Sequence, residues 1–325
     1  MKKGFKLLKF LLICSLLFTL VACSRNGELS GPVAIVGEAN DEVDSGELTI
    51  GLMPLVGSFP IVLAHYLGYF EDEGLTVYLE SFSSAANRDA ALQAGELDAA
   101  TVDLVAVGLF IDAGLPIRTT GSTVGCFTLV ANEGFYSIED LADETVVISY
   151  NTAVDFVLDQ MVQLAGFELD HIERAIIPAI PERMELLREG QVTAALLPDP
   201  WSTIAIADGL YDVINTFDID FNPFVKAFTD ELLEDRPADV QAFYRAYNRA
   251  IDFINTTPLE DYFHIMIDVI GFPADIADHL VLPEFTHNQM PTDDVLDATI
   301  LWLLSRDLVS EDMTADDLVS NVAFD

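Results

Sequence analysis

Short β-branched runs alternate with amphipathic runs between Leu48 and Asp103. Their order predicts strands and helices in turn over Leu48–Met53, Phe59–Phe70, Leu75–Glu80, Ala85–Ala94 and Leu97–Thr101. In an open α/β sheet, ligands bind beyond the carboxyl ends of the strands, where loops lead into helix N-termini. The segments after these strands, Pro54–Phe59, Ser81–Asn87 and Thr101–Asp103, are therefore the first candidates for a binding site.

A second set of α/β elements follows the first. A helix that ends in Gly95 is followed by one polar residue and a strand, and the same pattern recurs at Gly190. Two such units predict two lobes of similar plan. The pattern predicts further strands over Phe127–Ala131, Thr145–Ser149, Glu173–Ile177 and Ala194–Leu197, and a helix over Val154–Leu164.

After Pro223 the pattern changes to helical spacing. Helices are predicted over Pro237–Ile254, Leu259–Ile270, Ala274–Leu282 and Asp293–Leu304. The predicted fold class is therefore α/β with two lobes, followed by a helical C-terminal tail that packs on the first lobe.

The N-terminus has the pattern of an export signal. Lysines precede the apolar run Leu11–Val21, so residues 1–22 are predicted to be a lipoprotein signal peptide. Leu20-Val21-Ala22-Cys23 resembles a bacterial lipobox, in which Cys23 is acylated (with palmitate, for example) and becomes the mature N-terminus. The alternative is a plain signal peptide. Residues 23–46 are predicted to be an acidic flexible tether, which would leave the folded part lipid-anchored on the outer face of the cytoplasmic membrane, at the cell surface or in the periplasm.

Charge and cysteine content exclude several classes of function. The formal net charge is −39, and Lys226 is the only lysine after the signal peptide. Such a chain repels nucleic acid and anionic lipid, and the scattered acids indicate adaptation to a salty or harsh exterior rather than a functional surface. Cys126 is the only cysteine after Cys23, so neither an internal disulfide nor a cysteine metal cluster is predicted.

Four short motifs follow one another along the chain and together resemble a known family. In order they are Gly68-Tyr69-Phe70-Glu71-Asp72-Glu73-Gly74-Leu75, Ala94-Gly95-Glu96-Leu97-Asp98-Ala99-Ala100, Ile138-Glu139-Asp140-Leu141 and Gly190-Gln191-Val192-Thr193-Ala194-Ala195. The chain resembles the substrate-binding proteins of ABC importers for sulfonates, taurine, nitrate and thiamine pyrimidine precursors. One departure is Thr193, where the family usually has Asp.

The resemblance implies a type II periplasmic-binding-protein fold whose lobes close on a small ligand and deliver it to a membrane permease with a cytoplasmic ATPase. It places the first lobe at residues 47–125 and 222–325 and the second at residues 126–221. A monomer without cofactor or metal is expected.

The resemblance and the sheet geometry together give the candidate ligand-binding residues: Ser58, Phe59, Ser83, Ser84, Thr101, Asp103, Thr123, Asn151, Thr152, Asp199 and Trp201. Each has a structural alternative, because serine, threonine, asparagine and aspartate also cap helices and aromatic rings also fill cores. Asp199 and Trp201 are the favoured pair, since a turn between two prolines holds Asp199 rigidly beyond a strand end.

The candidate carboxylates favour a ligand with amino groups, such as a pyrimidine precursor, over a sulfonate or taurine-like compound. Basic residues near these loops are scarce, and neither Arg88, one turn into a helix, nor Arg118, in a strand-like segment, is clearly directed at the cleft. An enzyme similar to pyrimidine synthases is an alternative, but the cysteine-rich motif of those enzymes does not occur here. A nutrient-sensing receptor domain is the other alternative, because it would have the same fold.

Overall fold

A computed structural model of the chain describes residues 46–324. The predicted signal peptide, the lipidation of Cys23 and nearly all of the acidic tether lie outside the described residues. Within residues 46–324, no helix combines the length and the hydropathy that crossing a bilayer requires.

The described chain contains ten strands and eleven α-helices, with short 3₁₀ turns between them. The first part contains β1 (Glu47–Leu52), α1 (Phe59–Tyr66), α2 (Tyr69–Asp72), β2 (Thr76–Ser81), α3 (Ala85–Gln93), β3 (Ala99–Asp103), α4 (Leu104–Asp112) and β4 (Ile117–Ser122). The middle part contains β5 (Phe127–Ala131), β6 (Thr145–Ile148), α5 (Ala153–Leu164), β7 (Glu173–Ile176), α6 (Ile180–Arg188), β8 (Ala194–Pro198), α7 (Trp201–Ala207) and β9 (Tyr211–Asn215). The last part contains β10 (Phe224–Thr229), α8 (Asp230–Asp235), α9 (Pro237–Thr256), α10 (Leu259–Ile265) and α11 (Asp293–Ser305).

The strands form two five-stranded sheets of the same plan. Their orders are β2-β1-β3-β10-β4 and β7-β6-β8-β5-β9. In each sheet the first three strands are parallel to one another, and the fourth strand is antiparallel to both of its neighbours. The antiparallel strand is the first strand after the chain crosses from the other sheet, between β4 and β5 and again between β9 and β10. This arrangement confirms the predicted two-lobed α/β fold.

Two element predictions were wrong in detail, and two strands, β9 and β10, were not predicted. The helix predicted over Phe59–Phe70 breaks after α1, because Gly68 has a left-handed backbone with φ of 72° and α2 begins after it. The segment Ala274–Leu282 contains only the 3₁₀ turn Ala274–Ile276, and consecutive turns bury its apolar side chains without a regular helix. Strand β10 was not predicted, since it is nearly uniformly buried and has no alternating pattern.

The C-terminal tail packs on the first lobe, as predicted. Helix α9 lies against α1 and α2, where the rings of Phe70 and Phe243 stack with centroids 5.2 Å apart. Helix α11 lies against α4 and also contacts α5 of the second sheet, because Trp302 Nε1 donates to Asp159 Oδ2 at 2.7 Å. The tail therefore contacts both halves of the molecule.

Candidate functional site

A cavity lies between the two sheets, at the carboxyl ends of their parallel strands. It holds about 760 Å³ of space outside the protein atoms, part of it open to solvent. Its walls combine apolar side chains with a few buried polar groups, the composition typical of small-molecule sites. The polar side chains that line it are Ser58, Arg88, Thr101, Asp103, Thr123, Ser149, Thr152, Arg183 and Asp199.

Six of the eleven predicted binding residues line this cavity: Ser58, Thr101, Asp103, Thr123, Thr152 and Asp199. They come together because each follows or ends a strand. The first four belong to the strand ends and connections of the first sheet, and the last two belong to those of the second.

The other five predicted residues lie elsewhere. Phe59 is fully buried in the core and stacks on Tyr262, with ring centroids 5.5 Å apart. Ser84 caps α3 by accepting a hydrogen bond from the Asn87 N–H, which is the helix-capping role named as its alternative. Its neighbour Ser83 is exposed. The remaining two are Asn151, whose backbone is left-handed with φ of 54°, and Trp201, which packs against an apolar cluster that contains residues of both lobes.

Asp199 connects the two sides of the cavity and caps α7. Its Oδ1 accepts hydrogen bonds from the hydroxyls of Ser202 and Thr203 and from the Thr203 N–H at 3.2 Å. Its carbonyl oxygen accepts from the Val56 N–H at 3.3 Å, so a backbone hydrogen bond joins the two lobes. One carboxylate oxygen of Asp199 is therefore committed to the protein itself.

Asp103 faces the opposite lobe across the cavity. Its carboxylate caps α4 by accepting from the Ala106 N–H at 2.9 Å, and the Ala153 N–H at the start of α5 also stabilises its charge. Burial nevertheless raises the pKa of Asp103 to about 6, against the lowering effect of the nearby Arg88. This carboxylate is thus held in a region that disfavours negative charge.

Two buried arginines line the cavity, and the sequence analysis did not assign either to it. Arg88, on α3, is 4 % exposed and is paired with the carboxylate of its neighbour Asp89 at 2.7 Å. Its Nη1 also donates to the Thr101 carbonyl at 2.9 Å. Arg88 is therefore neutralised and held against the strand that carries Thr101.

Arg183, in the first turn of α6, has no carboxylate partner within the part of the chain that the structure describes. It is 2 % exposed, its Nη1 donates to the Leu196 carbonyl at 2.8 Å, and its Nε has no hydrogen-bond partner among residues 46–324. Burial lowers the pKa of the guanidinium to about 10, with no carboxylate contributing to the shift. The cavity wall of the second lobe thus carries an unbalanced positive charge.

The sequence did contain a signal for Arg183. It lies on the same helical face as Ile180, Met184 and Leu187, all of which are buried. An arginine on the apolar face of an amphipathic helix is either paired or directed into a site.

A close backbone approach at Gly57 shapes the first lobe's side of the cavity. The carbonyl of Gly57 accepts a hydrogen bond from Thr123 Oγ1 at 2.7 Å. A Cβ at position 57 would lie 2.2 Å from the Val124 carbonyl oxygen. Only glycine therefore allows the loop after β1 to contact the crossover after β4.

Gly57→Ala is expected to destabilise the protein by about 1–3 kcal/mol, because the clash is with backbone and the two loops must separate. Urea unfolding of variant and wild type measures this difference. An unchanged midpoint would show that the loops can shift without cost.

The fold and the cavity together define a class: a two-lobed α/β protein with a cavity between its lobes. The family model described as NMT1/THI5 like matches residues 57–261, and the chain belongs to this family. The match confirms the resemblance seen in the four sequence motifs. A comparison with the curated proteins finds no match.

Solved structures with the same fold include three binding proteins. The periplasmic aliphatic sulphonate binding protein SsuA from Escherichia coli aligns with a TM-score of 0.70 at 18% identity, over 87% of this chain and 100% of that one. The alkanesulfonate-binding protein SsuA from Xanthomonas axonopodis pv. citri, bound to MOPS, aligns with a TM-score of 0.72 at 15% identity, over 86% and 99%. The periplasmic nitrate-binding protein NrtA from Synechocystis PCC 6803 aligns with a TM-score of 0.66 at 11% identity, over 86% and 93%.

Proposed function

We propose that this protein is an exported solute-binding lipoprotein of an ABC importer, and not an enzyme. It captures one small organic ligand between its lobes and delivers it to a permease that is driven by a cytoplasmic ATPase. Family membership and the fold shared with sulfonate-binding and nitrate-binding proteins support this assignment. The lipobox-like segment before Cys23 supports attachment to the outer face of the cytoplasmic membrane.

The observation that carries the ligand class is the unpaired guanidinium of Arg183. A buried charge without a counter-charge costs several kcal/mol, and a ligand that supplies the counter-charge recovers that cost on binding. A planar guanidinium also suits the oxygen atoms of a carboxylate or sulfonate. We therefore infer an anionic ligand, which reverses the preference for an amino-bearing ring derived from the sequence.

The other cavity residues fit the rest of such a ligand. The hydroxyls of Ser58, Thr101, Thr123 and Thr152 would donate hydrogen bonds to its remaining oxygen atoms. Apolar side chains would pack against its carbon atoms, and those that line the cavity include Met53, Leu55, Val56, Ile180 and Phe224.

Hinge closure is the mechanism that we infer for capture. The first lobe would comprise residues 47–125 and 222–325, and the second residues 126–221, so that the two crossovers between the sheets form the hinge. The hydrogen bond from Val56 to Asp199 would form on closure and break on opening. A closed lobe pair around the ligand is the form that would dock on the permease.

A thermal-shift screen of residues 24–325 tests both the function and the ligand class. Each anionic compound is paired with a neutral analogue of the same shape, such as an alkanesulfonate with its sulfonamide. The anionic member alone is expected to stabilise the protein, by about 2.7 kcal/mol at one hundred times its Kd. Calorimetry is then expected to give one site per chain.

Two results would count against the proposal in different ways. Stabilisation by neutral or cationic compounds alone would remove the anionic ligand class but leave the binding function. Chemical conversion of the stabilising compound, followed by NMR, would show that the protein is an enzyme.

A further inference from the structure

A buried ion cluster joins the C-terminal tail to α5, outside the ligand cavity. Asp155 and Asp159, one turn apart on α5, are 0 % and 1 % exposed. Arg174 on β7 pairs with both of them, and its Nη2 lies 2.6 Å from Asp159 Oδ1. Arg306, just after α11, also pairs with both, at 3.0 Å from Asp155 Oδ2 and 2.5 Å from Asp159 Oδ2.

Trp302 completes this cluster from the tail side. Its Nε1 donates to Asp159 Oδ2 at 2.7 Å, and the Arg306 guanidinium lies over its ring at 4.3 Å from the centroid. Its ring also contacts Phe156, which packs against Phe221 in the second crossover. The cluster therefore lies beside the segment that connects the lobes.

The two ends of this contact belong to different lobes. Helix α11 is fixed to the first lobe, where Leu303 approaches α4 so closely that a Cβ at Gly108 would lie 2.6 Å from it. Helix α5 belongs to the second sheet's side, and its N-cap Thr152 and its first residue Ala153 line the cavity. A bond between α11 and α5 thus links the tail to the wall of the site.

The charges of the cluster balance only when the tail is in place. Two buried carboxylates face two guanidiniums, and Arg174 alone would leave one negative charge unbalanced. Removing one partner of a buried ion pair is strongly destabilising in other proteins, because it leaves an uncompensated buried charge. Movement of α5 away from α11 would carry a cost of the same origin.

We propose that Arg306 and Trp302 form a latch that holds α5 of the second lobe against the first lobe and so favours the closed arrangement. Both are positioning residues, because they act on the cavity through α5 and do not line it. The inference rests on the proposed closure of the lobes, but its test requires no ligand.

Hydrogen exchange of the Val56 amide tests the latch, because this amide donates across the lobes to Asp199. In Arg306→Gln combined with Trp302→Phe, exchange at Val56 is expected to accelerate about tenfold, while the amides of β1 within the first sheet keep their protection. Trp302→Phe removes the N–H donor and keeps a smaller aromatic ring at this position, and the protection of β1 reports any general loss of stability from the reduced packing.

Two further measurements sharpen this test. Labelling of Cys126, which lines the cavity and is the only thiol after Cys23, is expected to accelerate by a similar factor. Arg249→Gln is the matched control, because Arg249 forms an exposed tail ion pair with Asp72 of the same lobe at 2.8 Å. Neither Val56 nor Cys126 should respond to it.

Unchanged exchange at Val56 would overturn the latch. An equal loss of protection at Val56 and in β1 would also overturn it, because the cluster would then contribute only to global stability. Both results are independent of the ligand screen, so failure of the latch and failure of the proposed function can be told apart.

Discussion

Arg183→Met is expected to weaken binding of an anionic ligand by about a hundredfold, while the ligand-free protein keeps or gains stability. Truncating one partner of a buried charge pair typically costs 2–5 kcal/mol of binding free energy, and 2.7 kcal/mol is a factor of one hundred. In the free protein the guanidinium is desolvated without a counter-charge, and methionine fills similar space without that cost. Opposite effects on binding and stability are the signature of a ligand-directed charge.

Titration calorimetry with the stabilising sulfonate measures the binding loss, and urea unfolding without ligand measures the stability. Arg188→Met is the matched control, because Arg188 lies on the same helix, is 36 % exposed and pairs with Asp208 and Glu185. It is expected to leave affinity unchanged. Arg183→Lys keeps the charge without the planar fork and should fall between Met and wild type. Full affinity in Arg183→Met would remove this residue from the site.

The fold was largely predictable from the sequence because each lobe repeats the same local pattern of strand and helix residues. Parallel strands such as β1 and β3 are short β-branched runs followed by small or polar residues, and their helices end in glycines such as Gly95. Strand β10 escaped the prediction because it joins a sheet whose other strands lie more than one hundred residues earlier in the chain. Its buried sequence contains no local indication of that pairing.

The polar side chains of the site were predictable for the same reason as the strands. Thr101 and Asp103 end β3, so sheet geometry alone directs them to the cavity. Arg183 escaped because it lies within α6 rather than in a loop, and only the packing of α6 on β8 directs it inward. Phe59 was predicted to lie in the site because this residue begins a helix just after a strand. Its ring instead points into the core.

The capping role of Asp199 changes how this residue has to be tested. Loss of the whole carboxylate in Asp199→Ala would unpair the hydroxyls of Ser202 and Thr203 and destabilise α7 as well as the site. Asn retains an oxygen acceptor for these donors and removes only the charge. The pair of substitutions therefore separates the helix cap from any contact with the ligand.

Asp103→Asn is expected to stabilise the protein by about 3 kcal/mol at pH 7.5 and to have no effect near pH 3.5. Burial raises the pKa of Asp103 from 3.8 to about 6, and one pKa unit corresponds to about 1.4 kcal/mol. Between these pH values the folded protein binds more protons at this site than the unfolded chain, so the free energy of unfolding falls as pH rises. From about one pH unit above the folded pKa, the destabilising contribution is complete and constant.

The difference in unfolding free energy between Asp103→Asn and wild type, measured across pH 3.5–7.5, isolates this group from the other carboxylates. Asp140→Asn is the control, and its effect on the free energy of unfolding is expected to have the opposite sign. Hydrogen bonds from Tyr136 and Ser137 lower the pKa of that exposed carboxyl. A flat difference curve would mean that the Asp103 carboxylate is not penalised by burial. If the ligand is an anion, Asp103→Asn should also bind it more tightly at pH 7.5. That advantage should shrink below pH 6, where protonation makes wild-type Asp103 neutral as well.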